Sequence, residues 1–316
     1  LTLELFSYLI SFEKPKLFER YDEMHNRIEM YKHSKAFIFY DLIQAIRNKE
    51  NNDEYRKQYL LRCKEYIDVF DNNAIFIYCN LWSFATDLPY NYKTLEEIVL
   101  KSYQRYSLVG LNDDILAMLY YQIGRIYESK HDNFEAINFY NKSIEVFRNS
   151  NNIQRIIQAK ISIAGCYFDL KDYDKAEIEY LRIFEESSKY GFKRRMSACA
   201  NNLAFLYFLK RDFENSLKFI EQARLNGTIV PNINYYQAYI HFKINDLCTT
   251  RKELKYLIDN EVDISTLHSL KLIQSFINKN DKNVEHYMDL AIKDFKKLNS
   301  TLDIQLIYEM VLDYYK

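Results

Sequence analysis

Helix breakers are scarce in this chain. Five glycines and three prolines occur among 316 residues. Turn-rich β architectures draw heavily on both, so this scarcity argues against a sandwich or barrel. It also removes the raw material for a phosphate-cradling loop, and no Walker-type, dinucleotide-binding or nucleophile-elbow glycine motif occurs. The six histidines (His25, His33, His131, His241, His268, His286) form no i, i+4 pair and have no nearby cysteine or carboxylate set at ligand spacing, so no metal site is read. With no visible nucleophile, base or cofactor motif, the chain is read as non-enzymatic and without a cofactor. Charge of one sign is not in surplus either. Forty-three basic residues face 44 acidic ones, so nucleic-acid binding by this stretch is not indicated. No run approaches the roughly 18 apolar residues a membrane span needs. The five cysteines (Cys63, Cys79, Cys166, Cys199, Cys248) are scattered, with no CxxC pair, and read as reduced buried thiols of a cytoplasmic protein. The chain begins at Leu and not Met, which suggests a piece of a longer protein.

What is present is aromatic and periodic. Tyrosine (29) and phenylalanine (21) are abundant, and at helical spacing they read mainly as core and inter-helix filler. From 116 to 225 one unit is written three times. Gly124, Ala164 and Ala204 lie 40 residues apart, as do Tyr127, Tyr167 and Tyr207, and Ala136, Ala176 and Ser216. A fixed period of this size is the mark of a stacked repeat array. In the first half of each unit a small residue precedes an aromatic by three positions, so both lie on one helical face. The small residue admits a second helix and the aromatic fills the space beside it. Asp132, Asp172 and Asp212 then stand before the second helix, where a carboxylate accepts from unpaired backbone N–H groups. Ile137, Tyr140, Ile144 and Phe147 continue at helical spacing. Each unit is thus a helix–turn–helix hairpin that buries its apolar face only when the next is stacked on it.

Around this centre the pattern is looser. Residues 1–15 read as a linker or the remnant of a preceding domain, and 16–110 as degenerate hairpins. Their helices are expected at 16–31, 36–46, 55–70, 74–85 (with Trp82, the sole tryptophan) and 95–106, with a turn at 87–92. Residues 111–316 read as one continuous solenoid. After Leu225, hairpins are expected at 232–243 with 250–258 and at 265–277 with 284–298, then a lone capping helix at 301–315. Ala238 follows Ala204 by 34, so the step shortens there, and a ligand-sensing hinge is expected between the third and fourth units.

The residues Gly124, Tyr127, Ala136 and Tyr140, with Tyr167, Ala176 and Tyr180, and Ala204, Tyr207 and Ala223, resemble the tetratricopeptide repeat. The chain departs from that family at Ser143 and Ser216, which replace alanine, in lacking the closing proline, and in its 40-residue step against the usual ~34. The resemblance implies an all-α, right-handed solenoid of helical hairpins with a C-terminal capping helix. The long repeats, the Asn-, Ile-, Lys- and Tyr-rich composition and the asparagines on first helices further resemble the cytosolic peptide-pheromone receptors of Gram-positive bacteria and their phages (Rap, NprR, PlcR, PrgX and Rgg types, and the arbitrium receptors). That resemblance implies a short linear peptide as partner, a homodimer, and regulation of transcription through an N-terminal helix-turn-helix domain that this chain lacks. A non-switching protein–protein scaffold is the alternative.

In such repeats the first helix of each hairpin lines the concave face. The resemblance therefore points inward Tyr121 and Arg125; Ile161, Gly165 and Phe168, with Gln158 at the upper edge; Asn201, Phe205 and Phe208; and Tyr235, Tyr239 and Phe242. Asn201 and Asn202 stand out, because asparagine is a poor helix-interior residue whose amide can pair both the N–H and C=O of an extended peptide. Tyr121, Arg125, Gln158 and Phe168, then Asn201, Asn202 and Phe205, then Tyr235 and Tyr239 form the expected peptide-binding set. Lys193, Arg194 and Arg195 read as a solvated charged loop before that helix, with a grip on a peptide carboxylate as the alternative.

Overall fold

The computed structural model describes residues 14–27, 99–104, 113–227, 231–260, 264–298 and 300–316, with single positions between 30 and 96. Among these, every regular element is helical. The chain divides into two compact units, Leu1–Asp172 and Tyr173–Lys316. The first holds α1 (Lys14–His25), α2 (Asp113–Ser129), α3 (Asn133–Asn149) and α4 (Ile153–Asp169). The second holds α5 (Tyr173–Lys189), α6 (Lys193–Leu209), α7 (Phe213–Asn226), α8 (Pro231–Lys243), α9 (Leu247–Asp259), α10 (Ile264–Ile277), α11 (Asp281–Lys297) and α12 (Thr301–Tyr315). The boundary after Asp172 falls inside the stretch 111–316 expected as one solenoid, and ahead of the expected hinge. The helix expected at 16–31 ends earlier, at His25, because the chain turns at Asn26 and Arg27. The segment 95–106 is helical where it is described, at Glu96 and 99–104. The expected elements at 1–12, 36–46, 55–70, 74–85 and 87–92 lie outside the described residues, apart from single positions.

The 40-residue period resolves into a finer one. Helices α2 to α7 begin at 113, 133, 153, 173, 193 and 213, a constant step of 20. Each of α2 to α6 has 17 residues, about 25 Å of helix. A three-residue turn follows, and its middle residue is left-handed on the same beat: His131 (φ 61°), Asn151 (53°), Lys171 (61°), Gly191 (68°) and Arg211 (61°). The next helix starts from a cap. Asp132 accepts from the Glu135 N–H at 3.2 Å and Asp212 from that of Asn215 at 3.1 Å. Asn152, Asp246 and Asn280 do the same for α4, α9 and α11. Helices α7 and α8 have 14 and 13 residues against 17 in each of α2 to α6, and this shortens the step between Ala204 and Ala238.

Within a hairpin, close approach is set by the small residues. A Cβ on Gly124 would stand 2.7 Å from the Tyr140 ring, and Ala136 and Tyr140 are fully buried. Ser216, where the family has alanine, donates its hydroxyl to the Ala204 carbonyl at 2.8 Å. Ser143 is equally buried, and among the described residues its hydroxyl has no hydrogen-bond partner. An aromatic clasp recurs: Tyr127 stacks on Phe139 (5.4 Å, 11°) and Tyr207 on Phe219 (5.6 Å, 11°). Beside each, a lysine reaches back to an earlier helix, Lys130 to Glu96 at 2.7 Å and Lys210 to Glu177 at 2.7 Å.

The last helix is more than an end cap. Besides packing on α11, it lies over α8. The buried Asp303 carboxylate accepts from Tyr235, from Tyr236 at 2.7 Å and from Ser300 at 2.5 Å. Farther along α12, Tyr239 donates to Asp313 at 3.2 Å, Lys243 pairs with Asp313 at 3.3 Å, and Arg211 pairs with Glu309 at 3.3 Å. Tyr314 stacks on Phe276 at 4.9 Å.

Two predictions follow from this packing. Gly124→Ala is expected to lose about 1–2 kcal/mol in denaturant unfolding, because overpacking against Tyr140 outweighs the helix-propensity gain. Gly191→Ala meets nothing within 4 Å and is expected to lose about 1 kcal/mol through backbone conformation alone. Separately, Asp303→Ala leaves two buried tyrosine hydroxyls without their acceptor. It is expected to cost roughly 2–4 kcal/mol, with accelerated amide exchange in α12 measured by mass spectrometry.

Candidate functional site

In the first unit a polar strip runs between α2 and α4. Tyr121 is 8% exposed, and its hydroxyl accepts from the Gln158 amide at 3.1 Å and lies 3.2 Å from the Ser162 hydroxyl. Gln158 in turn accepts from Arg155 at 3.2 Å. The Tyr121 ring packs on Tyr140 at 5.3 Å. Arg125, one turn beyond Tyr121, is half-buried, as are Gln158 and Phe168. The structure thus joins Tyr121 and Gln158 directly and adds two residues absent from the expected set, Arg155 and Ser162. The repeat step held a signal for Ser162, since it precedes Asn202 by 40.

Beneath this strip sits an acidic pair. Burial pushes the Glu128 carboxyl above its ordinary range, against the lowering effects of the Tyr140 hydroxyl, which donates to it, and of Arg125. Burial also raises Asp169, opposed by His131. Cys166 nearby is pushed up to about 12, by burial and then by the charges of Glu128 and Asp169.

In the second unit the open face of α6 runs through Arg195, Ala198, Asn202, Phe205 and Leu209, all half-buried at steps of three and four. That is rotated from the expected Asn201, Phe205 and Phe208. Asn201 is 7% exposed, and its amide donates back to the Ser197 carbonyl at 2.9 Å, so it serves its own helix. Asn202 is half-exposed, and among the described residues its side chain has no partner. Phe205 stacks on Tyr236 at 4.9 Å, and Phe208 is buried against Tyr236 and Tyr239. Tyr235 and Tyr239 are 0% and 1% exposed. They were expected to line an open groove, but α12 covers them and their hydroxyls bind its carboxylates. Lys193, Arg194 and Arg195 form the first turn of α6, where a loop was expected.

Cys166 and Cys199 are buried, and burial pushes Cys199 up to about 12, opposed by Arg195. Cys248, expected to be buried, is exposed in the first turn of α9. Among the described residues no group of three or more His, Cys, Asp or Glu side chains is placed to hold a metal ion, and no helix is long and apolar enough to cross a membrane.

Glu128 makes stability depend on pH. Its proton is held more tightly in the fold than in the unfolded chain, so its contribution weakens as pH rises from the unfolded value of ~4.3 through the folded one. Glu128→Gln, which stays neutral and still accepts from Tyr140, is expected to match wild type near pH 4 and to be the more stable at pH 7. Thermal melts at both values check this.

The comparisons with known proteins agree with this architecture. A tetratricopeptide repeat family model matches residues 118–150, the α2–α3 hairpin. Regulatory protein RapD of Bacillus subtilis (strain 168) is 20% identical over 63% of this chain and 59% of RapD. The chain spans less than two thirds of the curated relatives it matches. Among solved structures, the complex of NprR with its cognate peptide NprX is similar at a TM-score of 0.67 and 19% identity, covering 99% of this chain and 96% of that one. A Rap protein complexed with Competence and Sporulation Factor is similar at a TM-score of 0.71 and 11% identity, again covering 99% and 96%. One hairpin of the chain matches the tetratricopeptide repeat, and the chain is similar in fold to the solved NprR and Rap structures.

Proposed function

We propose that this chain is the sensing part of a cytoplasmic regulator and binds a short linear peptide along the open faces of its first helices. The observation that carries this reading is Asn202. It is a half-exposed amide in mid-helix, unpaired among the described residues, with the half-exposed ring of Phe205 one turn away. An amide so placed pairs with both the N–H and C=O of a peptide backbone, and the ring supplies a surface for a side chain. In the first unit, Gln158, Ser162 and Tyr121 present further donors and acceptors beside Arg125. The solved NprR structure named above is a complex with its cognate peptide on a similar fold, which supports the reading.

In this reading the protein works without catalysis or cofactor. Peptide binding shifts a population between two packings, which requires different peptide affinity in each. The output passes through a homodimer and an attached helix-turn-helix domain that regulates transcription. A non-switching scaffold competes with it, and the burial of Tyr235 and Tyr239 under α12 favours that alternative, because a clasped α8 has less to rearrange. X-ray scattering separates the two: an unchanged profile on ligand addition points to the scaffold.

Calorimetric titration with peptides of about five to eight residues tests the site. Asn202→Ala is expected to weaken binding about tenfold. Asn201→Ala is expected to act chiefly on stability, losing about 1 kcal/mol with its intrahelical hydrogen bond. Undiminished affinity in the Asn202→Ala, Arg125→Ala double variant would sink the assignment.

A further inference from the structure

A groove lies between α9 and α10, and none of its lining residues belongs to α6. Its volume is about 320 Å³. Leu254 (1% exposed) forms the floor, with the half-buried Ile258 and Ile277. On one wall, Arg251, Lys255 and Asp259 stand at steps of four along α9, so all three share one face. On the other, Gln274 and Asn278 stand four apart on α10. All five polar side chains are exposed, and among the described residues none of them makes a hydrogen bond or ion pair.

We propose that this groove binds the free carboxylate end of a peptide chain whose last residue is aliphatic. Arg251 and Lys255 are about 6 Å apart along the helix and place two cations over one end of the groove. Two such donors hold a carboxylate through charge-assisted hydrogen bonds. The amides of Gln274 and Asn278 offer paired donors and acceptors to the last peptide units. Leu254, Ile258 and Ile277 offer an apolar seat for a branched side chain. Asp259 repels a second carboxylate at the far end and favours a backbone N–H or an amine there, which sets the direction of the chain. The volume lies at the small end of the ~300–1,000 Å³ range of ligand sites, so the groove takes two or three residues and not a folded segment. The inference stands apart from the proposed function, and holds or fails without it.

The test uses the full chain and fluorescence anisotropy of a fluorescein-labelled Ala-Ala-Leu tripeptide, with a free C-terminus or as the C-terminal amide. The free acid is expected to bind about tenfold more tightly than the amide. Arg251→Ala and Lys255→Ala are each expected to weaken the acid by a similar factor and to leave the amide unchanged, with circular dichroism matching wild type. Lys252→Ala removes the same charge from α9 outside the groove and is expected to keep full affinity, as is Asn202→Ala. Equal binding of acid and amide, an equal loss in Lys252→Ala, or no saturable binding in the millimolar range each overturns the proposal. A loss in Asn202→Ala would instead assign the tripeptide to the α6 face, and that too overturns it.

Discussion

The three-residue turn between successive helices is the constraint on which the rest depends. Its middle residue is left-handed at 131, 151, 171, 191 and 211, and glycine at just one of them. A non-glycine residue costs roughly 1–2 kcal/mol in that conformation, so the turns at 131, 151 and 211 hold only because the helices on either side pack well enough to offset it. The reward is register. With 17-residue helices on a 20-residue beat, equivalent side chains return to equivalent places after two helices. That is why a small residue at 124 or 204 faces a second helix, and why Tyr127 and Tyr207 find the same phenylalanine partner.

Polar groups in the interior then select one arrangement among several that apolar packing alone would allow. Asp303 is satisfied by three hydroxyls, two of them on α8, and this fixes α12 lengthwise in a way that leucine contacts would not. Glu128 and Tyr140 do the same across the α2–α3 hairpin. Such groups stabilise little in net terms, but each misplacement leaves a buried donor or acceptor unpaired. The open faces differ in kind. Asn202, Arg251 and Lys255 hold polar atoms uncommitted to the fold, which is what makes them candidates for recognition.

Much of the fold was legible. The hairpins between 113 and 226 and the bounds of α12 emerge from small-residue spacing, capping aspartates and helical periodicity, because these are local features that each helix needs for itself. The helix expected at 16–31 ran too far because apolar periodicity continued past the turn at Asn26, where no glycine or proline marks a stop. The site was legible only in part. Asn201 and Asn202 were both conspicuous, but a change of one residue rotates a helix by about 100° and exchanges a buried amide for an exposed one. Spacing of three and four from an uncertain start could not separate them. Ser162 was hidden because serine is unremarkable in a helix unless read 40 positions from Asn202.

By itself the sequence determined the helical class, the repeat and its period, the caps, and the residues too small or too aromatic to be elsewhere than at the hairpin contact. These depend on neighbours within about twenty positions. Tertiary structure decided what depends on distant partners. It buried Tyr235 and Tyr239 under a helix some seventy residues away and committed Asn201 to its own backbone while leaving Asn202 open. It also set Arg251 and Lys255 of one helix across an apolar floor from Gln274 and Asn278 of the next. Exposure is a property of what packs on a residue, and periodicity along one helix does not record which other helix will arrive.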